Sequence, residues 1–247
     1  MKVVFHSDFY RVYTTDPAAA PGRMESVIQV IKDQVALVEA VPASEQDILA
    51  VHTPAHLAEV RREGLFDIAA LAAGGAIQAA ALGLAEPCFG LIRPPGHHAS
   101  ADSCWGFCYF NNMAVALEAL KKQGRIETAF VLDIDLHYGD GTVNILGRRP
   151  YVRVYNPSSS ERKDYLTEVA REMDACRADL IGVSAGFDNH REDWGHVLET
   201  EDYFEIGRLA RVAAIRRRGG CFGLLEGGYN HDVLGRNVQA FLDGLST

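Results

Sequence analysis

The chain has no C-x-x-C pair, and its cysteines are odd in number: Cys88, Cys104, Cys108, Cys176 and Cys221 are scattered through 247 residues. No disulfide framework follows from that set, and a cytoplasmic location is the expectation. Basic charge is also scarce. Lys and Arg number 24 against 33 Asp and Glu, for a formal net charge of −9. The one dense basic run, Arg216-Arg217-Arg218, fits a helix end, where cations complement the dipole. A nucleic-acid partner is therefore not expected. The start, Met1-Lys2-Val3-Val4-Phe5-His6, lacks the apolar length of a signal peptide. The longest apolar stretch, Ile68 to Ala85, is mostly alanine and glycine, contains Gln78 and is flanked by Asp67 and Glu86. It reads as a buried helix packed closely on a sheet, so no membrane partner is expected. No repeat, low-complexity tract or linker interrupts the chain, and one domain over 1–247 is predicted. Its oligomeric state is not legible.

What the sequence does have is alternation. Short β-branched or aromatic runs at 2–6, 88–92, 128–135, 151–155, 179–185 and 221–225 alternate with helical patterns at 22–38, 67–85, 112–123, 162–176 and 200–217. The runs at 128–135 and 179–185 are apolar except at their ends, as in parallel strands covered on both faces. The fold class predicted is α/β, a three-layer α/β/α domain with a mostly parallel central sheet. In such sheets ligands bind beyond the carboxyl ends of the strands. The chemically unusual residues gather there: Arg93-Pro94-Pro95-Gly96-His97-His98, Asp133–Gly141, Gly186-Phe187-Asp188 and Glu226-Gly227-Gly228-Tyr229.

In Asp133-Ile134-Asp135-Leu136-His137 a strand period of two puts two carboxylates and an imidazole on one side. Such groups at the end of a buried strand need a compensating partner, and a metal is the simplest one. Asp188, just past Gly186, is the natural third ligand. Three protein ligands leave an open position, the pattern of a catalytic site, and the oxygen-rich set suits Zn²⁺ but also Fe²⁺, Co²⁺ or Mn²⁺. His97 and His98 follow a stiff Pro-Pro-Gly turn at the same edge, where Asp133 and Asp140 are acids able to orient one imidazole each. Tyr229 is either an oxyanion donor or a buried aromatic. The segment Gly106-Phe107-Cys108-Tyr109-Phe110 lines an apolar channel or forms core.

With these residues in view the chain resembles the histone deacetylase superfamily, which includes acetylpolyamine amidohydrolases and acetoin-utilisation-type deacetylases. The matching segments are RPPGHHA (93–99), GFCYFNN (106–112), DIDLHYGDGT (133–142), GFDNHRED (186–193) and LEGGYN (225–230), in the family's order. The resemblance implies an arginase-like fold and one zinc held by Asp135, His137 and Asp188. It implies that His98 is the general base and then acid, oriented by Asp140, and that His97, paired with Asp133, acts electrostatically. It implies that Tyr229 polarises the acetamide carbonyl, that Gly106 accepts the substrate N–H through its carbonyl, and that Phe107 walls the acyl tunnel. Arg23 looks like the family arginine beneath the site, linked to acetate release. Three departures stand out. The long rim loop after His52-Thr53-Pro54 is reduced to Glu63-Gly64-Leu65-Phe66. The stretch bearing the second tunnel wall is reduced to Asn156-Pro157-Ser158-Ser159-Ser160. No serine stands near Arg153 to help bind the potassium ion that family members often carry.

The activity expected is zinc-dependent hydrolysis of acetyl or short acyl groups from amines, either acetyl-lysine peptides or small acetylated molecules. The rival readings are an arginase-like ureohydrolase with two Mn²⁺ ions and a non-catalytic acyl-amine binder.

Overall fold

The computed structural model describes every residue, Met1–Thr247. The chain runs β1 (Lys2–Phe5), α1 (Arg23–Ile31), β2 (Ala36–Glu39), α2 (Glu45–Ile48), α3 (Pro54–Arg62), α4 (Phe66–Gly83), β3 (Cys88–Gly90) and α5 (Asn112–Lys122). It continues through β4 (Ala129–Asp133), α6 (Asp140–Leu146), β5 (Val152–Tyr155), α7 (Arg162–Ala175), β6 (Leu180–Ala185), α8 (Thr200–Arg216), β7 (Gly220–Leu225) and α9 (His231–Ser246). All strand pairs are parallel, in the order β2-β1-β3-β7-β6-β4-β5. Every residue of β3, β4, β6 and β7 is buried, as the apolar runs require.

Helices cover both faces. Met113 of α5 lies against Gly182 of β6, while Phe241 of α9 lies against Gly223 of β7. One layer is α2 to α6; α1, α7, α8 and α9 form the other. A core of 66 residues runs through all three layers. Helix α4 is long and apolar enough to cross a membrane, yet 67% of it is buried here. Its alanines and glycines let its backbone approach β1, β3 and β7.

The expected helix over 22–38 is a correction. Gly22 is the N-cap, in the left-handed region with φ 85°, and α1 stops at Ile31. Residues 36–39 pair with β1 instead, Lys2 opposite Ala36. As an edge strand with mostly exposed side chains, β2 carries none of the apolar continuity that marked the inner strands. Helices α2, α3, α6 and α9 are additional to the sequence reading. Thr53 caps α3, its hydroxyl accepting from the His56 N–H.

The sheet order brings the four motif segments together. β3, β7, β6 and β4 are consecutive neighbours, and they end in the HH, EGGY, GFD and DIDLH segments respectively. The reactive residues therefore converge on one edge from four stretches distant in sequence.

Candidate active site

Strand β4 ends at Asp133, so strand alternation does not itself carry Asp135 and His137 to one side. Side-chain hydrogen bonds shape the exit. The Asp133 carboxylate accepts from the Asp135 N–H (3.2 Å), and that of Asp135 accepts from the His137 N–H (2.9 Å). Each aspartate closes a local turn, a short-range alternative to a further ladder bond. Beyond β6 the Asp188 carboxylate accepts from the Leu136 N–H (3.0 Å). A side chain at Gly186 would collide with the Asp135 carboxylate, so glycine is needed there.

Ligand atoms of Asp135, His137 and Asp188 lie within 4.8 Å of one another. His137 Nδ1 is 3.2 Å from one oxygen of each aspartate. Asp188 Oδ2 is buried and otherwise has no hydrogen-bond donor. Both aspartates are almost wholly buried. Burial, then the Asp135 charge, pushes the Asp188 carboxyl up to about 7. Hydrogen bonds to Asp135 and Asp188 raise His137 to about 10. Burial opposes ionisation of Asp135, but His97, His137 and the Gly227 N–H outweigh it and hold its carboxyl below the usual range. Two buried acids thus compete for the proton of one imidazole. This oxygen-rich donor set, with one unspent carboxylate oxygen, fits a divalent cation.

Adjacent in sequence, His97 and His98 differ in electrostatics. His97 Nδ1 is 3.2 Å from Asp133, and its Nε2 is 3.7 Å from Asp135. Burial works against its charge, but Asp135 and Asp133 hold its pKa well above the ordinary value. His98 Nδ1 lies 2.7 Å from Asp140. Burial and the neighbouring His97 lower His98 to about 4, with the Asp140 hydrogen bond pulling the other way. At neutral pH His98 is therefore an uncharged base.

The Tyr229 loop is bolted from below. Asp193 accepts from the N–H groups of Tyr229 and Asn230, both at 2.8 Å. Fully buried Arg23 donates to the carbonyls of Gly228 (2.8 Å) and Glu226. The guanidinium lies 5.5 Å from the Tyr229 ring centroid and is absent from the cavity walls. Glu226 accepts from the Gly96 (2.7 Å) and His97 (3.3 Å) N–H groups, tying the EGGY loop to the histidine loop. Burial, chiefly, keeps the Tyr229 phenol well above its normal pKa and hence a neutral donor.

These groups enclose a cavity of about 110 Å³ lined by His97, His98, Gly106, Phe107, His137 and Tyr229, with Pro95, Gly227 and both tryptophans completing it. Gly106 and Phe107 both have positive φ, 59° and 68°. For phenylalanine this is an uncommon conformation of the kind stored at functional sites. It sets the Phe107 ring edge-on to Tyr229, centroids 6.0 Å apart.

The chain's only two tryptophans stand at this mouth, and the sequence reading missed both. Trp194 stacks on Tyr229 at 4.0 Å and 26° and stands edge-on to His137. It supplies a wall from the Asp188 loop in place of the shortened 156–160 segment. Trp105 stacks on His98 at 3.7 Å, and its indole N–H donates to Asp140 (2.9 Å). A usable signal was present: each tryptophan directly adjoins a motif segment, Trp105 before 106–112 and Trp194 after 186–193. Where a serine that would help bind potassium is missing, the Arg153 side chain is turned to Glu172. In a second close group, His97, Cys108 and Glu226, Cys108 Sγ accepts from the His98 N–H and Glu226 Oε2 accepts as above, while buried Glu226 Oε1 has no hydrogen-bond partner.

Fold and site together define a hydrolase built on the carboxyl edge of a parallel sheet, with a neutral histidine base beside three clustered metal-type ligands. Residues 62–165 match the histone deacetylase domain model. A probable deacetylase of Methanothermobacter thermautotrophicus is 30% identical over 98% of this chain and 90% of its own length. A histone deacetylase-like amidohydrolase of Pseudomonas aeruginosa is 31% identical over 84% of the chain and 70% of its own. An acetylpolyamine amidohydrolase of Burkholderia pseudomallei is 32% identical over 71% and 60%. The crystal structure of the HDA15 HD domain superposes with a TM-score of 0.85 at 20% identity, covering 100% of this chain and 90% of that one. The chain belongs to the histone deacetylase superfamily and is a hydrolytic deacetylase. The alignment to the archaeal relative spans 302 positions although this chain has 247 residues, so the relative carries segments that are absent here.

Proposed function

We propose that the protein is a zinc-dependent amidohydrolase that removes acetyl or short acyl groups from amines, and that Asp135, His137 and Asp188 hold the metal. The observation that carries this reading is the buried Asp188 oxygen with no donor besides His137, beside a cavity that also holds a neutral His98. A divalent ion there would polarise an acyl carbonyl and make water acidic enough to ionise near neutrality.

The chain's own groups supply the rest. His98 Nε2 takes a proton from the attacking water, and Asp140 at Nδ1 fixes the tautomer that leaves Nε2 free. The same nitrogen then delivers that proton to the departing amine. Tyr229 donates its phenolic hydrogen to the oxygen that gains charge in the tetrahedral intermediate. His97, tied to Asp133 and Asp135, places positive charge beside the same centre. Gly106 offers its carbonyl to the substrate N–H, and Phe107 and Trp194 exclude water from either side. Arg23 keeps the Tyr229 loop at its height.

The test is deacetylation of a fluorogenic acetyl-lysine substrate by wild type, His98→Ala, Tyr229→Phe and metal-stripped protein. Strong loss in the last three, with activity restored by Zn²⁺, is expected. Equal rates in all four would overturn the reading, and urea released from a guanidino substrate with two metals per chain would favour a ureohydrolase.

A further inference from the structure

A second and larger cavity, about 340 Å³, also has His137 in its wall. His137 lines both spaces, which places this groove next to the smaller cavity walled by Phe107 and Tyr229. The smaller space is suited to an acyl group; the larger falls within the roughly 300–1,000 Å³ of small-molecule sites.

The groove walls are well ordered by their own bonds. Asn156 accepts from the Gly139 N–H (2.9 Å), and the Ser158 N–H donates to Glu168 (2.9 Å). Ser159 closes its own turn with Glu161 (3.1 Å). Ser158 and Ser160 are exposed and line the groove. Tyr138, 60% exposed, offers a flat ring at the edge. Among the lining residues the only charged types are Asp135 and His137, both committed to the metal-type cluster.

We propose, building on the amidohydrolase reading, that this groove binds the amine portion of the substrate and selects a neutral, hydroxyl-bearing one, as in N-acylated amino sugars. Serine hydroxyls and an amide hydrogen-bond such a group, and an aromatic ring packs on its apolar face. A polyamine chain finds no free carboxylate for its ammonium groups here, and desolvating a cation without a partner is unfavourable.

The experiment compares kcat/KM of the zinc-loaded enzyme for N-acetylglucosamine, N-acetylputrescine and a fluorogenic acetyl-lysine. N-acetylglucosamine is expected to exceed N-acetylputrescine at least tenfold. Ser158→Trp, which fills the groove, is expected to reduce that ratio at least tenfold. Ser160→Trp repeats the test from the other end of the loop, with thermal melting to confirm folding. A preference for N-acetylputrescine, or equal losses on both substrates in folded variants, would overturn the groove assignment alone. No turnover of any of the three would overturn the amidohydrolase reading and the assignment with it.

Discussion

The floor of the site and its rim are built differently. On the floor, Asp133, Asp135, Asp188, His97 and His98 are almost fully buried, and the three aspartates also accept backbone N–H bonds. At the rim, Trp105, Trp194 and Tyr138 are 55%, 47% and 60% exposed, and the two tryptophans hold position mainly by stacking and, for Trp105, a single side-chain bond. The floor is where charge is concentrated out of water, so its geometry must be over-determined. On the proposed function, the rim faces the amine portion of the substrate rather than the acyl group. On that reading, chemistry and selectivity should be separable by substitution.

That contrast is sharpened by substitutions ordered from floor to rim. Asp188→Asn removes a ligand as well as a charge. Metal affinity, read by competition with a chelating dye, should fall by more than the roughly 10–100-fold typical of residues that only support a ligand. Activity should disappear with it. Tyr229→Phe keeps the ring and loses the phenolic donor, and kcat should drop on the order of 10²–10³ with KM little changed.

Asp140→Asn tests the base. Asp140 raises the His98 pKa toward its ordinary value, so its loss must lower the pKa further from about 4. The acid limb of kcat/KM should move to lower pH while the plateau falls about tenfold or more, because a weaker base is a poorer proton acceptor. A limb displaced upward would contradict the pairing. Smallest is Trp105→Phe, which keeps a ring over His98 and deletes the bond to Asp140. A partly exposed hydrogen bond of about 1 kcal/mol predicts a roughly fivefold fall in kcat. A loss at Trp105 as large as at Tyr229 would break the division between floor and rim.

Much of the floor was legible because its chemistry is incompatible with its surroundings. Two acids and a histidine closing an apolar run advertise themselves, as do paired histidines after Pro-Pro-Gly. The sheet class followed from the uninterrupted apolar runs of β4 and β6. Less visible was anything held by local bonds or by a partner far along the chain. β2 could not be told from the end of a helix, since an exposed edge strand has no inner face to pattern. The supporting roles of Asp193 and Glu226 emerge only when β6 and β7 lie side by side. Trp105 and Trp194 resemble ordinary surface aromatics until the catalytic ring beneath each is known.

The position of β7 carries a consequence for biosynthesis. It follows the other six strands of the sheet in sequence, yet it is the sole link between the β2-β1-β3 and β6-β4-β5 halves. A nascent chain emerging from the ribosome must keep two open edges apart until that segment slots between them. Such non-local pairing is slow, and the exposed edges invite association with other chains. Gly227, whose N–H steadies Asp135, arrives in the same step. On the proposed function, the ion site would be complete only once β7 has taken its place in the sheet.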